Sequence, residues 1–302
     1  MLEVTASEGQ AFRSIWSSLR GVAFEQRWID AGGVRTRVLH AGEAGKPVLV
    51  MLHGTASQAE TFCNNLGPHA EHFDCYAIDM LGTGYTDKPD RPYEIGDYVE
   101  HLVAFLDAIG AQKASILGVS LGAWVAARFA IDYPERTDKI TLVAPAGHNV
   151  DEVRMARIKA SRQAAAASPT WDSVKNVLER LVYDRSSLFD DIIASRLAFY
   201  RLPEMQKAMQ NILVLQEPDV RAKNVIPLDR WAEISAPALV IGGNNDNEAD
   251  YKDAKAVADL IPGSRLEVID KVGHWGHFEV PELFNPMNVS FLRGTGEPSR
   301  QR

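Results

Sequence analysis

The sequence predicts an α/β protein with a doubly wound, mostly parallel sheet of eight strands and an inserted helical cap. Short apolar runs of strand length recur along the 302 residues, with amphipathic helical patterns between them. Most of the later runs are continuously apolar, as strands covered by helices on both faces must be. Residues 148–236 read almost wholly helical, which is too long for a simple crossover. We therefore predict a core of residues 1–147 and 237–302 and a cap of residues 148–236.

The individual elements follow from local patterns, taken in chain order. Eight runs are predicted as strands, over residues 24–30, 34–40, 47–52, 74–79, 114–118, 139–144, 237–242 and 265–270. Helices are predicted over residues 95–109, 121–132 and 250–260. In the cap, one apolar stripe at helical spacing consists of Val174, Val177, Leu178, Leu181 and Val182. Near the start of the chain, a similar spacing joins Phe12, Ile15, Trp16 and Leu19. We expect that segment to pack on the body or on a second subunit of a homodimer.

Composition and net charge argue against several classes of binding partner. The formal net charge of −8 at pH 7 argues against nucleic acids and anionic membranes, because both require a basic surface. The apolar runs are too short to span a bilayer, and the first residues lack the apolar core of a signal peptide. Two cysteines suit a reducing cytoplasm. We expect a cytoplasmic protein that acts on a small molecule, and no metal cluster or phosphate loop in the sequence predicts a cofactor.

A serine between glycines stands where a predicted strand gives way to a helix. The motif Gly118-Val119-Ser120-Leu121-Gly122 has the sequence and the context of a nucleophile elbow. The glycines permit a strained turn that projects the Ser120 hydroxyl above the carboxyl edge of the sheet. The amino terminus of the next helix favours negative charge developing there. Ser120 is therefore the candidate nucleophile, and a mere tight turn is the alternative.

A serine hydroxyl requires a general base. His274 directly follows the last predicted strand, so we expect it at the same edge of the sheet as Ser120. His277 could reach the same region, but we interpret it as structural. Three other histidines stand in polar settings and are expected to be solvated, namely His69, His72 and His101.

The base requires a carboxylate that orients it. Asp246 directly follows the strand over residues 237–242, again at the carboxyl edge. Asp250 and Asp253 come where the next helix begins, and we interpret them as capping or surface charges. The chain order of serine, aspartate and histidine is the one found in hydrolases with a nucleophile elbow.

Two backbone N–H groups are candidates for the oxyanion hole. One is that of Leu121, directly after the nucleophile, and the other is that of Thr55 in the His53-Gly54-Thr55 loop after a strand. Each such donor is typically worth about 10²–10³ in rate. His53 could instead be the base, but a histidine beside this turn more often braces the loop.

Together these motifs resemble the α/β-hydrolase superfamily over residues 24–293, and the segment over residues 79–89 is similar to that superfamily's loop after the fourth strand. Further details resemble the meta-cleavage product hydrolases, which cleave carbon–carbon bonds in ring-fission products of aromatic degradation. The resemblance implies that Asn64, Arg196 and Trp275 hold the dienoate end of a substrate. Gly54 and Val119, next to the catalytic turns, complete the expected substrate-binding residues.

The sequence context of Arg196 is unusual even apart from the resemblance to a family. It lies in the segment DDIIASRLAFY, on a helical stripe of apolar residues. A guanidinium in such a stripe is costly unless it is paired. Either a nearby carboxylate, Asp190 or Asp191, pairs with it, or it binds an anionic ligand. The resemblance favours the ligand.

The chain departs from the meta-cleavage product hydrolases at two places. Val119 replaces the asparagine that usually precedes the nucleophile, and residues 55–59 replace a loop containing glycine and proline. The favoured function is hydrolysis of a carbon–carbon bond in a 2-hydroxy-6-oxo-dienoate. The alternatives are a carboxylesterase or lactonase that uses the same triad, and a non-catalytic ligand-binding protein of the same fold.

Overall fold

The computed structural model describes residues 13–247, 249 and 251–295. Eight strands form one sheet in the order β1-β2-β4-β3-β5-β6-β7-β8. Strand β2 is antiparallel to both of its neighbours, and every other pairing is parallel. The predicted doubly wound, mostly parallel sheet is thereby confirmed. The strands are β1 (Phe24–Ala31), β2 (Val34–Ala41), β3 (Val48–Leu52), β4 (Asp74–Ile78), β5 (Ala114–Val119), β6 (Thr137–Val143), β7 (Ala238–Gly243) and β8 (Arg265–Ile269).

Twelve α-helices are present in the described part of the chain. Those before β7 are α1 (Ile15–Leu19), α2 (Leu66–Ala70), α3 (Ile95–Ala108), α4 (Leu121–Asp132), α5 (Glu152–Ala167), α6 (Trp171–Glu179), α7 (Asp190–Tyr200), α8 (Met205–Ile212) and α9 (Pro218–Asn224). Those after β7 are α10 (Tyr251–Leu260), α11 (Gly276–Glu279) and α12 (Pro281–Arg293). Short 3₁₀ helices cover Ala59–Phe62, Pro134–Arg136, Arg185–Ser187, Leu213–Gln216 and Leu228–Glu233.

The central strands are buried because helices pack against the sheet. Every residue of β4, β5 and β7 is buried, as their continuously apolar sequences predict. Helix α4 packs on β5 and β6, and α10 packs on β7. Strands β3, β5, β6, β7 and β8 run parallel to one another, so the loops that follow them meet at one edge of the sheet.

Between β6 and β7 the chain forms only helices and turns, from α5 to the 3₁₀ helix Leu228–Glu233. The apolar stripe predicted there is buried: Val174, Val177, Leu178, Leu181 and Val182 are each at most 5% exposed. The helical character of this segment agrees with the sequence pattern. The division at residues 147/148 and 236/237 into core and cap stays a prediction.

The amino-terminal segment packs on the body. Leu19 of α1 is buried, whereas Trp16 is 71% exposed. The Ile15 N–H donates to Asp191 Oδ2 over 2.9 Å, and the Ser18 hydroxyl donates to Asn64 Oδ1 over 2.6 Å. Phe12 lies outside the described residues, and the homodimer stays a prediction. No helix in the described ranges is long and apolar enough to cross a membrane.

Candidate active site

Ser120 sits in a strained turn between β5 and α4. Its backbone has φ 55° and ψ −110°, a conformation that costs a non-glycine residue about 1–3 kcal/mol. The Ser120 N–H donates to the Val143 carbonyl over 2.9 Å, which fixes the turn to the neighbouring strand. A Cβ at Gly118 would lie 2.3 Å from the Gly122 carbonyl oxygen, and one at Gly122 would lie 2.1 Å from that of Leu52. Both glycines are therefore required by close backbone approach.

The predicted base and acid are hydrogen-bonded to each other. His274 Nδ1 lies 2.6 Å from Asp246 Oδ2, and both side chains are buried. Oδ1 of Asp246 accepts the backbone N–H of Ala249 over 2.9 Å. A carboxylate at Nδ1 favours the tautomer with the proton on Nδ1, so Nε2 is the nitrogen left to accept a proton.

Asp250 and Asp253 are the other two aspartates that stand near Asp246 in the sequence. Asp250 lies outside the described residues. Asp253 lies in the first turn of α10, as a capping charge would, but it is not a surface charge, because it is 9% exposed and contacts His148 and Arg154. Burial alone would raise the pKa of Asp253, but the hydrogen bonds from His148 and Arg154 lower it to about 2. Asp253 is therefore engaged in an ion pair with Arg154.

Glu279 holds the loop that carries His274. Its Oε1 accepts the Gly273 N–H over 2.6 Å, directly before the histidine. Its Oε2 accepts the N–H groups of Tyr183 and Asp184, in the helical segment between β6 and β7. One buried carboxylate thus joins the histidine loop to this segment. This role was not predicted from the sequence, although a glutamate five residues after His274 in an apolar run is a visible signal.

Thr55 and Leu121, whose backbone N–H groups are the candidate oxyanion donors, line the same cavity as Ser120. Neither the Thr55 N–H nor the Leu121 N–H has an acceptor in the part of the chain that the structure describes. The Leu121 N–H is the first of α4, where backbone donors have no intrahelical partner. A Cβ on Gly54 would lie 3.4 Å from the Ser120 Cβ, so the two turns are in close contact. Both donors are thus available to an oxygen bound beside Ser120.

His53 braces the loop after β3. Its Nδ1 lies 2.8 Å from the Gly54 carbonyl, and its Nε2 accepts the Met80 N–H over 3.0 Å. Burial lowers the pKa of His53 to about 3. With both ring nitrogens occupied and no exposure to the solvent, His53 has no free base function.

The other histidines are more buried than the sequence analysis predicted. His277 packs between the rings of Phe62 and Phe284, and burial lowers its pKa to about 3. The expectation that His69 and His101 are solvated was wrong. Each is at most 5% exposed, and burial lowers the pKa of both to about 4. His72 is half-buried.

A cavity lies between the elbow and the helices that precede β7. Its wall contains most of the residues that the sequence analysis singled out: Gly54, Thr55, Ser120, Leu121, Arg196, His274 and Trp275. A crevice outside the carboxyl ends of parallel strands is where an α/β sheet binds small molecules. The wall also contains a set of polar residues contributed by the helical segment and by the loop after β6: His148, Asn149, Arg154, Arg162 and Arg221.

Arg196 is buried in this wall without an acidic partner. The side chain is 2% exposed, and no carboxylate of the described residues lies within ion-pair distance. Its Nη2 donates to the Ser57 hydroxyl over 2.6 Å, while its Nε has no partner in the described ranges. Burial lowers the pKa of Arg196. The alternative pairing with a neighbouring aspartate does not occur, and Asp191 accepts the Ile15 N–H instead.

The loop that replaces the glycine- and proline-containing loop anchors α7. Gln58 donates to the Ser195 hydroxyl over 2.7 Å, and the Tyr200 hydroxyl donates to the Ala56 carbonyl over 3.3 Å. Together with the contact between Ser57 and Arg196, these bonds fix the helix that presents the arginine to the cavity. Ser57 was missed from the sequence, because nothing near it in the chain indicates its distant partner.

Two expected substrate-binding residues do not contribute side chains to the cavity. Asn64 lies elsewhere, because its Oδ1 accepts the Ser18 hydroxyl over 2.6 Å and its Nδ2 donates to the Phe278 carbonyl over 3.1 Å. Val119 is 1% exposed within β5 and does not line the cavity. Trp275 does line it, with its ring centroid 5.9 Å from the guanidinium carbon of Arg196. The side chains of Asn64 and Val119 therefore lie outside this cavity, and their assignment to substrate binding stays a prediction.

The sheet order, the elbow and the inserted helices define a hydrolase of the α/β class, and the sequence comparisons agree. The model of the α/β hydrolase fold family matches residues 47–281. This chain belongs to that family, as an enzyme related to the meta-cleavage product hydrolases.

Individual relatives support this relationship over nearly the whole chain. The 2-hydroxy-6-oxo-6-phenylhexa-2,4-dienoate hydrolase of Burkholderia cepacia is 30% identical over 87% of this chain and 94% of its own. The 2-hydroxy-6-oxo-6-(2'-aminophenyl)hexa-2,4-dienoic acid hydrolase of Metapseudomonas resinovorans is 30% identical over 92% and 94%. A solved structure of a meta-cleavage product hydrolase from Pseudomonas fluorescens has a TM-score of 0.78 and 25% identity, and covers 91% of this chain and 99% of that one.

Proposed function

We propose that this enzyme hydrolyses a carbon–carbon bond in a 2-hydroxy-6-oxo-dienoate, the class of substrate named for its relatives. The observation that carries the proposal is the position of Arg196. A buried guanidinium without a carboxylate partner lines the same cavity as Ser120 and His274. Such a group is costly unless an anion pairs with it, and the carboxylate of a dienoate supplies that anion.

In the proposed site Ser120, His274 and Asp246 form a catalytic triad. Asp246 orients His274 and stabilises the imidazolium form, and the Nε2 atom of His274 exchanges protons with the reacting groups. The hydrogen bond of 2.6 Å between His274 and Asp246 supports these roles. The backbone N–H groups of Thr55 and Leu121 stabilise the oxyanion that develops beside Ser120.

The chemistry proceeds in two stages. First, with the help of His274, the substrate loses the proton of its C2 hydroxyl and gains one at C5. The resulting C2 ketone is conjugated with a C3–C4 double bond and can accept electrons. Second, Ser120 or a water activated at the triad adds to the C6 carbonyl, and the C5–C6 bond breaks. Its electron pair moves through C4 and C3 to the C2 oxygen.

The products balance one substrate and one water. The C6 fragment leaves as a carboxylic acid, after hydrolysis of an acyl-enzyme if Ser120 is the attacking group. The C1–C5 fragment leaves as a 2-hydroxypenta-2,4-dienoate once the C2 oxygen is protonated. Arg196 holds the carboxylate throughout, and Trp275 packs beside the guanidinium. Both residues thereby fix the distance between C6 and Ser120.

The experiment is a direct comparison of kcat/KM for ring-fission dienoates and for neutral aryl esters of similar size. Loss of the absorbance of the conjugated dienoate measures the first reaction, and release of the phenol measures the second. We expect the dienoates to be hydrolysed with the higher kcat/KM. Aryl esters hydrolysed faster than every dienoate would contradict the proposal and would favour a carboxylesterase.

A further inference from the structure

A second buried arginine lines the cavity on the other side of the nucleophile. Arg221 of α9 is 8% exposed, and no carboxylate of the described residues lies within ion-pair distance of it. Arg154 differs, because Asp151 and Asp253 neutralise it. Arg196 and Arg221 are thus both cavity arginines that lack an acidic partner.

The sheet order separates these two arginines. Strand β5, which carries Ser120, lies between β3 and β6. Arg196 is bound to Ser57 in the loop after β3. Arg221 is bound through Nε to the Asn149 carbonyl in the loop after β6, over 2.9 Å. The nucleophile therefore lies between two guanidinium groups, one on each side, and neither has a carboxylate of the described residues within ion-pair distance.

Arg221 is held rigidly. Its guanidinium carbon lies 4.9 Å from the ring centroid of Trp124, and its Nη1 lies 3.4 Å from the Leu215 carbonyl. Its Nη2 has no hydrogen-bond partner in the ranges the structure describes. The Nε1 of Trp124 and the Nδ1 of His148 are also buried without a partner there, and both side chains line the cavity. The cavity wall on the β6 side thus contains three side chains with possible N–H donors that lack acceptors among the described residues: Arg221, Trp124 and His148.

The guanidinium of Arg221 keeps its positive charge although it is buried. Burial and the neighbouring Arg154 lower the pKa of Arg221 to about 10, so the guanidinium remains protonated at neutral pH. Asp151 and Asp253 act on it from beyond ion-pair distance and oppose this lowering. A buried positive charge that is held in place without a carboxylate in contact is suited to an anionic ligand group.

We propose that Arg221 binds a second carboxylate, at the end of the acyl fragment of the substrate. This inference rests on the proposed function, in which Arg196 holds the dienoate carboxylate on the β3 side. The C6 carbonyl then lies at Ser120, and the chain beyond C6 extends towards β6. The substrate is a dianion, and the fragment released from C6 is a dicarboxylic acid.

The test uses two dienoates whose acyl chains are the same except for the end group. One chain ends in a carboxylate and the other in the isosteric carboxamide. Dissociation constants are measured calorimetrically on the Ser120→Ala variant, so that binding is read without turnover. We expect the carboxylate to bind at least about tenfold more tightly, as a charge-assisted bidentate contact implies.

Substitutions on the same background identify the residue responsible. Arg221→Gln should weaken binding of the carboxylate by about tenfold to a hundredfold and leave that of the carboxamide nearly unchanged. Arg221→Lys, which keeps the charge, should recover part of the preference. Arg128→Gln is the matched control, since Arg128 pairs with Asp132 on α4 and does not line the cavity. This control should leave both constants unchanged.

The outcomes separate the two proposals. Equal binding of carboxylate and carboxamide, or an equal loss of both in Arg221→Gln, would overturn the role of Arg221 and indicate a structural one. Binding of neither compound would overturn it as well. If the wild-type enzyme hydrolyses neither dienoate, the proposed function fails, while the measured preference for the carboxylate still decides the role of Arg221.

Discussion

The Nδ1 atom of His274 lies 2.6 Å from Oδ2 of Asp246, although 28 residues separate them in the sequence. The contact joins the loop after β8 to the loop after β7, two neighbouring parallel strands. Because both strands end at the same edge of the sheet, the two side chains meet beside the cavity that contains Ser120. The orientation of the His274 imidazole depends on this contact.

Asp246→Asn should lower kcat by about 10³–10⁴, because an amide stabilises the wrong imidazole tautomer and removes the charge that stabilises the imidazolium. Steady-state kinetics on the best substrate measure the loss. Asp250→Asn is the control and should act only mildly through local charge. The opposite ranking in kcat would show that the acid has been placed four residues too early.

Ser120→Ala should lower kcat by several orders of magnitude, with residual activity from the oxyanion hole and substrate binding. Ser120→Gly should be equally inactive but more stable than Ser120→Ala by about 1 kcal/mol, because glycine adopts φ 55° without strain. Kinetics and urea unfolding measure the two effects. Retention of more than about a tenth of the turnover by either variant would contradict Ser120 as the nucleophile.

Glu279→Gln should impair both stability and turnover. Its Oε1 accepts the Gly273 N–H and its Oε2 accepts two further backbone N–H groups, so an amide nitrogen at either position would face a donor. We expect a loss of about 1–3 kcal/mol in the free energy of unfolding and a lower kcat. Glu282→Gln, in the first turn of α12, is the control. Unchanged kcat and stability in Glu279→Gln would contradict the role of this carboxylate in fixing the histidine loop.

Acid should destabilise the protein through its buried histidines. Burial lowers the pKa of His53 and His277 to about 3 and that of His69 and His101 to about 4. These groups are neutral in the folded state but bind protons in the unfolded chain below a pH of about 6.5. Stability should therefore fall as the pH drops from about 6.5 towards 4, by about 1.4 kcal/mol per pH unit for each histidine.

Urea unfolding between pH 5 and pH 7 measures this dependence. His101→Gln should reduce the slope by the share of one histidine, and His72→Gln is the half-buried control. A free energy of unfolding that does not change over this range would contradict the prediction.

The sheet was predictable because its strands are covered on both faces. Strand β5 is buried at every position, and its apolar run was found to within one residue. Strand β6 begins two residues earlier than expected, at Thr137, because a buried polar residue gives no apolar signal. Apolar continuity thus locates the centre of a strand better than its ends.

The contact of Asp246 with His274, and the shared cavity of His274 and Ser120, were predictable because each of the three residues follows a strand. The position of the Asn64 side chain was not predictable in this way, because Asn64 was assigned by counting residues along a loop. The 3₁₀ helix Ala59–Phe62 turns the chain just before it, and its amide binds Ser18. Counting along an irregular segment fixes neither the position nor the direction of a side chain.

Buried histidines were missed for a related reason. His69 is bound to the Asn65 carbonyl and to Asn288, and His101 to Thr36. Two of these partners lie far away in the sequence, so the polar neighbours of each histidine in the chain suggested exposure. Only the fold shows that a distant hydrogen bond compensates the burial.

The central claim is that Arg196 binds the carboxylate of a dienoate in the cavity beside Ser120. Its most direct test is the effect of Arg196→Gln on kcat/KM for a dienoate and for a neutral aryl ester. Arg201→Gln is the matched control on an exposed arginine at the end of the same helix, and thermal unfolding reports any loss of stability.

We expect Arg196→Gln to lower kcat/KM for the dienoate by about tenfold to a hundredfold, since a charge-assisted contact in a closed pocket is worth about 1.5–3 kcal/mol. The aryl ester makes no such contact, so its kcat/KM should change little. Equal losses on both substrates, accompanied by a lower Tm, would contradict carboxylate binding by Arg196 and with it the proposed carbon–carbon hydrolysis.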